Sequence, residues 1–158
     1  MKPIFDKPRR TENILYAKMR TTMQRVGVLI RMENLIIPGL PDCLFIYNEK
    51  IILIELKVLR SGKITMPQFQ YSMAMEMVKH INPNHHWYWV SEDNGLGQEL
   101  IAAYRFKDLS NIEPEKDTIA KSVRMDIRNA IPRLIFAKNE DILDWFILLD
   151  KGTTNGHQ

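Results

Sequence analysis

Pro38-Gly39-Leu40-Pro41-Asp42, then Cys43-Leu44-Phe45-Ile46-Tyr47, then Ile51-Ile52-Leu53-Ile54-Glu55-Leu56-Lys57-Val58: this stretch decides the fold. Two apolar, β-branched runs of strand length are separated by Asn48-Glu49-Lys50, which has the length and chemistry of a hairpin loop. The prolines and glycine ahead of them form a rigid turn that no helix passes through. Glu55 and Lys57 stand two residues apart, and the strand period of two puts both on one face. Two charges inside an apolar strand need a reason, so that face is a site, a sheet edge or solvent, while Ile54, Leu56 and Val58 turn the other way toward a core. Antiparallel pairing of the two runs brings Asp42, at the mouth of the first, near Glu55.

Upstream, Ile14, Leu15, Met19, Met23 and Val26 recur close to every 3.6 residues, which predicts a helix over 13–28 with Thr11 as N-cap and Gly27 near its end. A short strand over 28–33 follows. Downstream, Ser61-Gly62-Lys63 breaks the second hairpin strand. Thr65-x-x-Gln68 has the form of a capping box and Pro67 falls in a first turn, so a helix is expected over 66–80. Its stripe of Phe69, Met73 and Met77, with Ala74 and Val78, is expected against the sheet. Residues 86–90 read as a strand in which Trp87 and Trp89 are core or interface residues; residues 100–106 fit a strand or a helical turn equally. Beyond Glu113-Pro114, a helix is expected over 116–130 and an amphipathic one over 139–149 carrying Ile142, Trp145, Phe146 and Leu149. The last residues, 151–158, are expected to fray.

The chain has 158 residues, 45% hydrophobic and 26% charged, with 7 Gly and 8 Pro, which is the composition of one folded domain and excludes collagenous, low-complexity and disordered classes. No run reaches the roughly 18 apolar residues of a membrane span, and no apolar segment follows the charged N-terminus as in a secretory signal. A single Cys43 makes no internal disulfide and excludes a cysteine-rich zinc site, pointing to a reducing cytoplasm. His80, His85 and His86 read as surface or strand-end residues. Net charge is only +3, but it is front-loaded: Lys2, Lys7, Arg9, Arg10, Lys18, Arg20, Arg25 and Arg31 face only Asp6 and Glu12 within residues 1–31. A polyanion would meet that segment first.

Two carboxylates converging from adjacent strands, with an ammonium beside them, form a coherent chemical set. Mg²⁺ prefers oxygen ligands and takes one or two carboxylates together with substrate phosphates. A cation so held activates water and stabilises charge on a phosphodiester, and a lysine alongside orients that water or neutralises the phosphate.

These residues resemble the PD-(D/E)xK nuclease superfamily, and within it the VRR-NUC group and the archaeal-type Holliday junction resolvases, including phage-type members. The Gly39-x-Pro41-Asp42 turn, the hairpin ending in Glu55-Leu56-Lys57 and the following helix opening with Gln68 occur in the order and spacing of that group. The likeness extends over about residues 12–110; the signature that names the VRR group is not recognisable. The resemblance implies Asp42 and Glu55 as metal ligands with the Leu56 backbone carbonyl beside them, Lys57 acting on the attacking water, and Gln68 contacting phosphate or water. It also implies an acidic residue near the first helix, for which Glu33 in Arg31-Met32-Glu33-Asn34 is the candidate and Glu12 a weaker one.

The expected fold is therefore an α/β restriction-endonuclease-like core: a mixed central β-sheet flanked by helices, with a helical C-terminal extension. Residues 1–112 are expected to form the nuclease core, 113–150 a helical extension packed on it, and 151–158 a frayed tail. The expected function is a Mg²⁺-dependent DNA endonuclease, with Mn²⁺ substituting, selective for a junction, flap or end, acting as a homodimer in a bacterial or phage-infected cell and serving recombination. The alternatives are a general phage-type nuclease and a non-catalytic DNA-binding scaffold. Arg9, Arg10, Arg31, Lys63, Lys121, Arg124 and Arg128 are the expected DNA contacts, the last three from one face of the 116–130 helix.

Overall fold

The computed structural model describes residues 15–17, 19–32, 39–93, 99–137 and 142–154. Arg9, Arg10, Glu12 and Glu33 lie outside them. Helix α1, helical at residues 15–17 and 19–23, is followed by β1 (Val28–Arg31), β2 (Cys43–Tyr47), β3 (Lys50–Val58), β4 (Lys63–Pro67), α2 (Gln68–Met77) and a 3-10 turn (Pro83–His85). Then come β5 (His86–Asp93), β6 (Glu99–Arg105), α3 (Phe106–Leu109), β7 (Glu115–Asp117), β8 (Ser122–Asp126), β9 (Leu134–Ala137) and α4 (Leu143–Thr154). The central sheet is mixed, with order β1-β2-β3-β5-β6-β9. Among the described residues only the β3–β5 pair of this sheet is parallel, its crossover running through β4 and α2. A second, antiparallel sheet has the order β4-β8-β7.

The hairpin forms as its sequence demands. Asn48 and Glu49 both have positive φ, at 48° and 63°, as a two-residue turn matched to strand twist requires. The register Cys43↔Ile54 and Phe45↔Ile52 sends Cys43, Phe45, Ile52, Ile54 and Leu56 to one face. There they meet Leu15, Met19 and Met23 of α1 and Trp145, Phe146 and Leu149 of α4, with Trp87 and Trp89 from β5. The opposite face carries Tyr88, Val90 and Tyr104, covered by Ile64, Met66, Val123 and Met125 of the second sheet and by Phe106 and Leu109 of α3. This central part of the sheet is buried on both sides, which is why its strands read as near-continuous apolar runs.

Several local expectations are corrected. The helix expected over 66–80 begins at Gln68, because β4 takes Lys63–Pro67 into the second sheet; its N-cap is Pro67, which has no side chain to accept from the first turn, so the Thr65–Gln68 capping box does not form. The core-facing side of α2 is Ala74 with Tyr71, Met75 and Val78, whereas Phe69 is 54% exposed. The helix expected over 116–130 is replaced by β7 and β8: Val123, Met125 and Ile127 are buried and Arg124 and Arg128 exposed, a period of two. The chain after 112 is thus not a helical extension: it builds the second sheet, adds β9 to the central one, and ends in α4, which continues to Thr154 where fraying was expected from 151. Residues 100–106, left open by periodicity, belong to β6 up to Arg105.

Candidate functional site

Pro41 has no N–H to continue the ladder, so β2 starts at Cys43 and Asp42 is left at its mouth, facing the strand that carries Glu55. The backbone N–H of Leu56 donates to Asp42 Oδ2 at 2.8 Å, and the N–H of Met32 donates to the Asp42 carbonyl at 2.7 Å. The turn before it is fixed from the other side. Gly39 has φ +94°, and a Cβ there would stand 3.2 Å from Met73 Cβ and 3.4 Å from the Phe69 carbonyl of α2. Glycine is needed both for the dihedral and for this approach.

Glu55 is 2% exposed, on the face opposite Leu56, with Tyr88 beside it in the parallel register. Lys57 Nζ lies 3.3 Å from Glu55 Oε1. A third residue closes the set: Gln70 Nε2 donates to Glu55 Oε1 at 2.8 Å, and Gln70 Oε1 accepts from Lys57 Nζ at 2.9 Å. Burial pushes the Glu55 carboxyl well above the usual carboxylate range; the Lys57 ammonium opposes this and the Asp42 charge adds to it. The Tyr88 hydroxyl is likewise held well up by burial, with Glu55 and Asp42 contributing. Cys43, adjoining Asp42 but on the other face, has its thiol pushed up to about 12, first by burial.

The arrangement therefore brings together Asp42, Glu55 and Lys57, as the spacing implied, and the Leu56 backbone with them. Gln68 is not among them: its N–H donates to the Lys121 carbonyl at 2.9 Å and its side chain lies on the outer side of α2. Gln70, two residues on, was missed, and the only signal for it was a second glutamine in Gln68-Phe69-Gln70. Among the expected basic contacts, the Arg31 guanidinium sits 4.8 Å over the Tyr16 ring. Lys63 pairs with Glu115 at 2.9 Å, Arg124 lies 3.9 Å from Glu115, and Arg128 Nε bonds Asp126 Oδ1 at 3.0 Å. Lys121, Arg124 and Arg128 do not share a helix face; Arg124 is on β8 and the other two flank it.

The donors that a cation would find here are all oxygens, which suits Mg²⁺ or Mn²⁺ and not a soft metal. Among the described residues no group of three or more His, Cys, Asp or Glu is gathered in a metal-binding arrangement, so the protein side of such a site would be the two carboxylates with backbone oxygen. No helix among the described residues is long and apolar enough to cross a membrane.

No protein-family description matches the sequence, and neither does any curated protein. Among solved structures, the chain is similar to Archaeoglobus fulgidus Hjc, a Holliday junction resolvase from an archaeal hyperthermophile, at 10% identity and a TM-score of 0.41, over 70% of this chain and 86% of that one.

Proposed function

We propose that this chain is a metal-dependent nuclease that hydrolyses phosphodiester bonds of DNA by in-line attack of water. The observation that carries the reading is the convergence of Asp42, from the turn before β2, with Glu55 and Lys57 of β3, joined by Gln70 from α2. Asp42 and Glu55 would hold Mg²⁺, with Mn²⁺ as substitute. The N–H and C=O of a strand residue point to the same side, so the Leu56 carbonyl faces the gap beside Asp42 and is a further oxygen donor. Glu33 stands as a further candidate ligand on sequence grounds alone. The bound cation would supply Lewis-acid stabilisation of phosphate charge and a more acidic water. Lys57, restrained between Glu55 and Gln70, orients the attacking water and balances the phosphate. Asp42 is anchored by the Leu56 N–H and lies within hydrogen-bonding reach of the Glu55 carboxyl. The substrate is a branched or ended DNA, and a homodimer would present two sites to two strands.

The test is incubation with supercoiled plasmid, a four-way junction and a plain duplex under Mg²⁺, Mn²⁺ or EDTA, beside Asp42→Ala and Lys57→Ala. Metal-dependent cutting that both substitutions abolish is the expected result. Symmetric cuts in the junction alone would identify a resolving activity, and cutting of every substrate a general nuclease. Binding without metal-dependent cleavage would reassign the fold to a DNA-binding scaffold.

A further inference from the structure

On the outward side of α2 a groove of about 610 Å³ is lined by Gln68, Phe69, Ser72, Met73, Glu76 and Lys121. It shares a wall with the candidate site, since Gly39 of the Asp42 turn packs on Phe69 and Met73 while Gln70, next to Phe69, reaches Glu55 and Lys57. The packing of α2 does not need Phe69: the helix buries its other side through Ala74, Tyr71, Met75 and Val78, and the Phe69 ring is left 54% exposed. The groove's charge is one-sided. Glu76 is neutralised by Lys79 at 2.8 Å, whereas Lys121 pairs with no acid among the described residues. Lys121 is also fixed at the head of α2, with φ 50° and its carbonyl accepting the Gln68 N–H.

We propose that this groove receives an unpaired nucleobase of the strand being cut, stacked on Phe69, with Lys121 neutralising the phosphate beside it. The inference rests on the nucleic-acid reading above and adds the state of the substrate to it. A flat aromatic surface beside an uncompensated ammonium and two uncharged polar side chains complements a nucleotide, which offers a π face, a hydrogen-bonding edge and a negative charge. An apolar peptide would leave Lys121 unanswered. The volume lies within the range of small-ligand sites. A base inside a duplex cannot offer its face without unstacking, so the groove favours flaps, gaps and open junctions over continuous duplex.

The experiment uses the full chain in EDTA, so that nothing is cut, with oligonucleotides carrying 2-aminopurine in single-stranded and duplex form. The expected result is a fluorescence change on binding the single strand. Phe69→Ala should remove it and weaken single-strand binding about tenfold, Phe69→Trp should keep it, and duplex binding should not change. Lys121→Ala should lower the salt slope of single-strand binding by about 0.7. Thermal melts check that each variant is folded. Unchanged fluorescence and affinity in folded Phe69→Ala, or equal weakening on duplex, overturns the inference and leaves the groove to a protein segment. Because cleavage is not read, an intact stacking signal in a chain that never cuts DNA would sink the nuclease reading alone.

Discussion

The side-chain amide of Gln70 donates to Glu55 Oε1 across 2.8 Å. The same amide accepts from Lys57 through its oxygen, so one neutral side chain from α2 holds both members of a charged pair on β3. A partner that fixes the orientation of ligands and lysines is typically worth about 10–100-fold in activity. Gln70→Ala is therefore expected to lower the Mg²⁺-dependent plasmid nicking rate by that amount, in turnover more than in substrate affinity. Gln70→Asn, one methylene short of both partners, should recover little. A wild-type rate in Gln70→Ala would separate the amide from the chemistry.

Glu55→Gln should separate stability from activity. The carboxylate is buried and disfavoured there, and an isosteric amide keeps the volume while removing the charge. Lys57 retains its bond to Gln70. Removing the charge relieves its desolvation but leaves the Lys57 ammonium without its partner, so stability at pH 7 is expected to stay within about 2 kcal/mol of wild type, with cleavage lost. Urea melts paired with nicking assays read both, and a loss of stability beyond that would mean that the ion pair holds the fold together.

His86 supplies a pH dependence unrelated to the candidate chemistry. The ring is 2% exposed, packed against the Tyr88 and Phe106 rings, and burial holds it down at about 4 from an ordinary 6.5. The unfolded chain then binds the extra proton between pH 6.5 and 4, so stability is full above that window and falls as pH drops through it. The loss from this group between pH 7 and pH 5 is roughly 2 kcal/mol. Urea titrations at the two pH values should show His86→Phe losing less stability than wild type by about that amount; parallel losses would refute the assignment.

Glu49 carries a left-handed conformation in the hairpin turn, with φ 63°. Glycine takes that conformation without the Cβ clash, and Asn-Gly is the preferred pair for such a turn. Glu49→Gly is expected to raise the denaturation midpoint by up to about 1 kcal/mol in stability, while Glu49→Val lowers it. A midpoint lowered by glycine would show that the Glu49 side chain does more than complete the turn.

Much of the hairpin was legible because its signals are local. Alternating aliphatics, a turn of the right length, and a Gly-x-Pro-Asp segment each act over a few residues, and they agree. The strand at Ser122–Asp126 was equally local in its Val-Arg-Met-Asp-Ile alternation, but the three- and four-residue spacing of Lys121, Arg124 and Arg128 imitates a helix face. The inward side of α2 was not legible. Phe69 and Met73 are as apolar as Tyr71 and Met75, and which pair is buried depends on how β4 delivers the chain into the helix.

From the sequence alone it followed that Glu55 and Lys57 share a strand face, that Asp42 stands near them, and that no helix crosses the Pro38–Pro41 turn. Those are consequences of backbone geometry over short range. The tertiary structure decided that this charged face is buried and not solvent, because the second sheet and α2 fold over it, and that Gln70 rather than Gln68 enters it. Burial of a face is a property of what packs there, and here the packing elements lie 8 to 71 residues beyond Glu55, from Lys63–Pro67 to Ser122–Asp126.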